Sequence, residues 1–92
     1  MKSFTTKRFR DCYAVLPEHI QLLTSRNYKM WLKDSSHPSL HYKQVHTTKP
    51  VFSARVGISF RVLGIQQNDE MIWFWIGSHS DYDKLLKQLY DE

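Results

Sequence analysis

Two side chains able to move a proton, His79 and Tyr82, stand three residues apart immediately after the most apolar run of the chain, Met71 to Ile76. At that spacing both side chains face one direction if the segment is helical. A histidine titrates near about 6.5 and can serve as base or acid at neutral pH, whereas a tyrosine, near about 10, needs cationic neighbours before it accepts that work. Arg61 and Arg55 are the natural cations for such a site, because a guanidinium grips a phosphate in a planar fork and stays charged. Lys43 and Lys49 add point charges. Together they meet the requirements for cutting RNA through its own 2′-hydroxyl: a base for that proton, an acid for the leaving 5′-oxygen, and cations for the charge gathering on the phosphate. Such a reaction needs neither metal nor cofactor, so none is expected.

Charge distribution supports an anionic partner. The net charge is +4. No carboxylate occurs between Asp34 and Asp69, while Lys43, Lys49, Arg55 and Arg61 fall there with His37, His41 and His46. Placed on adjacent strands, these heads would share one sheet face and concentrate a positive field of the kind that attracts nucleic acid. The alternative is a merely solvated basic face. The three histidines do not suggest zinc, since their spacing crosses Pro38 and no cysteine or carboxylate stands nearby. Each site residue also has a structural reading: Arg61 paired to Asp81, His79 bonded to backbone in a turn, Tyr82 packed beneath a helix. Trp73, Phe74 and Trp75 could stack on bases, but a run apolar on both sides points to core.

The elements that must position these residues follow from pattern. With 92 residues there is room for one core, and a single domain over residues 1–92 is expected. Phe52 to Gly57, Ser59 to Gln66 and Met71 to Ile76 are rich in β-branched and aromatic residues and read as consecutive strands. Leu40 to His46 alternates as a further strand, with Leu40, Tyr42 and Gln44 on one side and His41, Lys43 and Val45 on the other. Lys2 to Thr5 suits a short edge strand, and Thr6 suits the N-cap of a helix bearing Phe9, Tyr13 and Leu16. A second helix is expected from Pro17, as its first residue, to about Lys33, its stripe interrupted by Asn27. A last helix is expected from Ser80, capped by that serine with Asp83 three residues on, and carrying Tyr82, Leu85, Leu86 and Leu89. The result is an α+β fold: an antiparallel meander sheet, two N-terminal helices packed on it and a short C-terminal helix. Cys12 alone cannot form an internal disulfide, and no run is long and apolar enough to span a bilayer, so a cytoplasmic protein is expected.

The segments HPSLHYK, FSARVGISFRVLG and WFWIGSHSDYDKLL, at 37–43, 52–64 and 73–86, together with FTTKRFRDCYAVLP near the start, resemble the RelE/ParE superfamily of bacterial toxins from type II toxin-antitoxin modules. The likeness is strongest to the small RelE- or HigB-like members, whose buried aromatic strand ends in an Ile-Gly-Ser-His-x-x-Tyr turn. It implies a RelE-like fold, an mRNA endoribonuclease acting with the ribosome, and a cognate antitoxin held in a hetero-oligomeric complex. By the same resemblance Arg61 matches the arginine associated with phosphate stabilisation and Arg55 a basic position one strand earlier, while His79 lies where several relatives place an arginine and the HigB-like ones a histidine or its equivalent, and Tyr82 near the tyrosine or histidine-tyrosine end of their motifs. Members with the fullest catalytic set carry several lysines before the arginine strand, where this chain has only Lys43 and Lys49. The superfamily also includes gyrase-poisoning toxins that cleave nothing, and an inactive relative that only binds RNA or antitoxin is the third possibility.

Overall fold

Strand β1 (Lys2–Thr5) opens the chain, followed by helices α1 (Lys7–Ala14) and α2 (Glu18–Lys33), strands β2 (Lys43–Gln44), β3 (Val51–Val56), β4 (Phe60–Gln67) and β5 (Glu70–Ser78), and helix α3 (His79–Tyr90). This computed structural model describes residues 1–90, so the last two residues of the expected domain lie outside it. The five strands form one sheet in the order β1-β5-β4-β3-β2. Strands β2 to β5 make the expected antiparallel meander, but β1 pairs with β5 in parallel, so the sheet is mixed. The departure follows from the long excursion through α1 and α2, which separates β1 from its partner far beyond the reach of a hairpin. The apolar run Met71 to Ile76 lies in β5, an interior strand with a neighbour on each side.

Each helix begins where local chemistry satisfies its free amides. Thr6 Oγ1 accepts from the Phe9 amide at 3.1 Å, as an N-cap should. Leu16, expected on α1, lies beyond it. Pro17 is the capping residue of α2 rather than its first helical position, its carbonyl accepting from the amides of Ile20 and Gln21. A reciprocal pair staples the two helices: the Tyr13 hydroxyl donates to the Gln21 carbonyl at 3.2 Å, and Gln21 Nε2 donates to the Tyr13 carbonyl at 2.9 Å. Asn27, the polar interruption of the α2 stripe, donates to the Arg55 carbonyl at 3.0 Å and so ties α2 to β3.

The strand expected over Leu40 to His46 shrinks to Lys43–Gln44. Pro38 to Leu40 wind into a single 3-10 turn, His41 is left-handed at φ 45°, and the His46 ring nitrogen accepts from the Thr48 and Lys49 amides, closing the next turn. The predicted alternation nevertheless holds: Leu40 and Tyr42 pack on the α1/α2 side, and Val45 on the α3 side.

Two apolar layers result, one per sheet face. Ile20, Trp31, Leu40, Ala54, Val56, Val62, Met71, Trp73 and Ile76 fill the space beneath α1 and α2, whereas Val45, Val51, Leu63, Trp75 and Tyr82 fill that beneath α3. A bulge divides the aromatic run between them. Leu63 opposes Trp75 and Gly64 opposes Trp73, which leaves Phe74 without an opposite residue. That extra residue flips the alternation of β5. Strict pleating would have sent Trp73 and Trp75 to the same face, but the bulge sends Trp73 under α2 and Trp75 under α3. Gly64 permits it, since a Cβ there would lie 2.6 Å from Met71 Sδ and 2.7 Å from the Trp73 ring.

Tyr42 stacks on Phe52 with ring centroids 5.1 Å apart and donates to Gln66 Oε1 at 2.9 Å. Burial pushes its phenol up to about 12 from an unfolded value of 10.0, while the nearby Trp31 N–H acts weakly in the other direction. A raised folded value means that the fold favours the protonated phenol, so this stabilisation is complete below pH 10.0 and is lost as pH climbs through about 12. Thermal melts should therefore show wild type losing stability over that window faster than Tyr42→Phe. Parallel curves would rule out the linkage.

Candidate functional site

The sheet register brings the two arginines together. Arg55 on β3 is the direct cross-strand partner of Arg61 on β4, and Arg61 in turn faces Gly77 on β5. Directly opposed residues project from the same face. That face is the one under α3, because Ser53, two residues before Arg55, accepts a hydrogen bond from the Tyr82 hydroxyl at 3.3 Å. Two like charges in this position repel. Burial first, and then the Arg55 charge, depress the Arg61 guanidinium below its ordinary value, while Tyr82 and Asp83 act in the opposite sense.

Among the described residues neither arginine forms an ion pair, and the expected alternative of an Arg61–Asp81 pair does not occur. Arg61 Nη1 instead donates to the carbonyls of Phe60 at 2.8 Å and Ile58 at 3.3 Å, which folds the guanidinium over the β3–β4 turn. Arg55 Nε is buried without a hydrogen-bond partner. Positive charge is thus gathered on one face with no carboxylate paired to it.

Helix α3 supplies the other half of the site. Its cap is Ser78, not Ser80: the Asp81 amide donates to Ser78 Oγ at 3.2 Å. This shift places His79 inside the first turn, where its amide donates to the Ser59 carbonyl at 2.8 Å and anchors the helix start to the β3–β4 turn. The His79 ring stacks on Tyr82, centroids 6.0 Å apart, and its Nε2 lies 3.7 Å from Asp83 Oδ2, close enough for attraction when protonated though too far for a hydrogen bond. His79 is exposed and Tyr82 only 6% so. Of the two expected proton carriers, the imidazole alone stands open to solvent.

The expected residues therefore converge in part. Arg55, Arg61, His79 and Tyr82 share the α3 face. Lys43 opposes Ser53 on edge strand β2, on that face and one pleat repeat from Arg55. Lys49 precedes the far end of β3, roughly 20 Å from Arg55 at the extended rise, and lies away from the cluster. Two contributors escaped the sequence reading. Asp83 is legible in retrospect from its i,i+4 spacing to His79. Ser53 carries no signal, since its role depends on a helix encountered 29 positions later. Gly77 also matters: a Cβ there would lie 2.5 Å from the Trp75 ring, so only glycine lets that indole lie against the strand beside the arginines.

Tyr82→Phe tests whether the hydroxyl holds the helix down. Losing its bond to Ser53 should cost about 1 kcal/mol in chemical denaturation. The ring under His79 would be preserved, and an unchanged midpoint would deny the hydroxyl any such role.

The fold is of the RelE-like α+β type. The structure is similar to a chain of the RelB-RelE antitoxin-toxin complex from Methanococcus jannaschii, with TM-score 0.71, 19% identity and coverage of 88% of this chain and 96% of that one. It is also similar to the YoeB/ParE toxin from Agrobacterium tumefaciens, with TM-score 0.70, 10% identity and coverage of 86% and 99%. A third likeness is to the isolated RelE toxin of E. coli, with TM-score 0.65, 7% identity and coverage of 96% and 97%. No curated protein matches the sequence. The ParE-like toxin domain family matches residues 18–84, and the chain belongs to that family, within the RelE/ParE toxin superfamily.

Proposed function

We propose that this chain is the toxin of a type II toxin-antitoxin pair and that it cuts mRNA engaged on the ribosome, without a metal. The observation that carries the reading is the cross-strand pair Arg55–Arg61, unpaired to any described carboxylate and sharing its face with an exposed histidine. In this reading the 2′-hydroxyl gives its proton to a base and attacks the adjacent phosphorus. The P–O5′ bond breaks, leaving a 2′,3′-cyclic phosphate and a 5′-hydroxyl that has taken up a proton. His79 exchanges protons with the substrate, and Arg61 and Arg55 hold the charge that builds on the phosphate. Lys43 extends the positive face along the strand, and Lys49 attracts the polyanion at longer range. Tyr82 backs the imidazole and sets its position.

The partner in this reading is a cognate antitoxin, which would silence the site by covering it. Support comes from two similar structures that are antitoxin-toxin complexes, those of Methanococcus jannaschii and Pyrococcus horikoshii. One observation favours a second reading: the matching family is described as ParE-like, and the gyrase-directed branch of the superfamily acts without cleaving RNA. A translation extract programmed with a defined mRNA separates the two. The expected result is mRNA cut within ribosome-covered codons by the wild type and left whole by His79→Ala. Whole mRNA together with accumulating cleaved DNA–gyrase complexes would replace the nuclease reading with the second. Failure of both, with antitoxin binding retained, would leave an inactive relative.

A further inference from the structure

Cutting RNA through its 2′-hydroxyl takes two proton carriers, one to remove that proton and one to supply the 5′-oxygen. Of the two expected at this site only the His79 ring is open, since Tyr82 is 6% exposed and its hydroxyl is spent on Ser53. The sheet register points to a replacement. Lys43 opposes Ser53 and Gln44 opposes Phe52, and the same antiparallel pairing carried two residues back from Lys43 sets His41 against Arg55. Arg55 opposes Arg61, which opposes Gly77. One row thus runs from His41, just ahead of β2, through both guanidinium-bearing residues to Gly77, two residues short of His79.

His41 is turned the right way. Its neighbours Leu40 and Tyr42 both pack on the α1/α2 side while His41 is exposed, so its side chain projects toward the face of the arginines. Its ring bonds to no described residue, whereas His37 Nδ1 accepts from the Ser39 amide at 3.2 Å and His46 Nδ1 from the Lys49 amide at 3.0 Å. His41 and Gly77 stand roughly 14 Å apart at the backbone, three strand spacings of about 4.8 Å each. Imidazoles reaching in from the two ends can meet a single sugar-phosphate link lying over the arginines. Charge sorts them into parts, because a carboxylate attracts an imidazolium and cations repel one. Around His41 stand Arg55 and Lys43, with no carboxylate in the row. Around His79 stand Asp83, 3.7 Å from Nε2, and Asp81 in the same first turn, with Arg61 across from them.

We infer that His41 is a second catalytic residue, the base that takes the 2′-hydroxyl proton, standing across the arginine pair from His79, which gives a proton to the 5′-oxygen. The inference rests on the nuclease reading of this site. The 2′-oxygen bonds to phosphorus as the P–O5′ bond breaks, His41 ends as the imidazolium and His79 as the neutral ring, so the pair neither gains nor loses a proton. Single-turnover cutting on programmed ribosomes tests it, with His41→Asn as the variant because asparagine also accepts the left-handed backbone at φ 45°. The expected result is a loss of about 10²-fold at an unchanged melting temperature, while His19→Asn, an exposed histidine of α2, cuts at the wild-type rate. A message with sulfur in place of the bridging 5′-oxygen releases a thiolate that needs no acid. It should restore cutting in His79→Ala and leave His41→Asn slow. A wild type that cuts nothing would sink the nuclease reading and this inference with it. A cutting wild type overturns the inference alone if His41→Asn stays within about threefold of it, if the loss falls on His37→Asn instead, or if the sulfur restores His41→Asn.

Discussion

Arg61→Ala is expected to slow mRNA cutting by about 10²–10³-fold, the usual loss when a fixed donor to a transition-state charge is removed. The same change should leave the melting temperature unchanged or slightly raised. Removing Arg61 relieves its repulsion with Arg55 and a guanidinium held below its ordinary value mainly by burial, and it breaks no ion pair. Only two bonds to turn carbonyls are lost, those to Phe60 and Ile58. Arg61→Lys should recover part of the rate, because it restores the charge but not the two-pronged grip. Single-turnover cutting on programmed ribosomes, alongside thermal melts of each variant, makes the comparison. A loss smaller than about tenfold, or one that tracks unfolding, would remove Arg61 from the chemistry.

Leu63→Ala should be the most damaging single change to stability, about 3–5 kcal/mol. Leu63 is wholly buried and sits in the row Lys43, Ser53, Leu63, Trp75 that crosses the sheet beneath α3. A small domain holds only about 5–15 kcal/mol in total, so the variant should melt more than about 10 °C lower. Activity should fall before the fold does, since the cavity opens under Tyr82, whose hydroxyl holds α3 to Ser53. Urea denaturation followed by tryptophan fluorescence would measure the cost. A penalty below about 1.5 kcal/mol would mean that α3 collapses into the space and that this layer is less tightly packed than its burial indicates.

What was readable in the chain was whatever depends on near neighbours. Thr6 capping α1, the extent of α2, the alternation around Tyr42 and the strands flanking Gly57 and Asn68 all follow from spacing and turn chemistry. The bulge at Phe74 was not readable, because it depends on which β4 residue meets which β5 residue and on the space Gly64 leaves for Met71 and Trp73. The cap at Ser78 was missed for a related reason. Ser78 and Ser80 are equally good capping residues by type, and the choice falls to the bond between the His79 amide and the Ser59 carbonyl, a partner 20 positions away in sequence. For the candidate site, residue types singled out the arginines and the imidazole. Their meeting required the register that sets Arg55 against Arg61.

The bond from His79 to Ser59 has one more consequence. It joins the loop that Arg61 curls over to the helix that carries the imidazole, so the guanidinium and the imidazole belong to separate pieces tied at the turn by this bond and, further along the helix, by the bond from Tyr82 to Ser53. Prising that helix from the sheet would part the imidazole from the guanidinium pair with both guanidinium-bearing strands left whole. If the chain cuts RNA as proposed, an inhibitor has no need to reach the cations at all, provided it can hold that helix ajar.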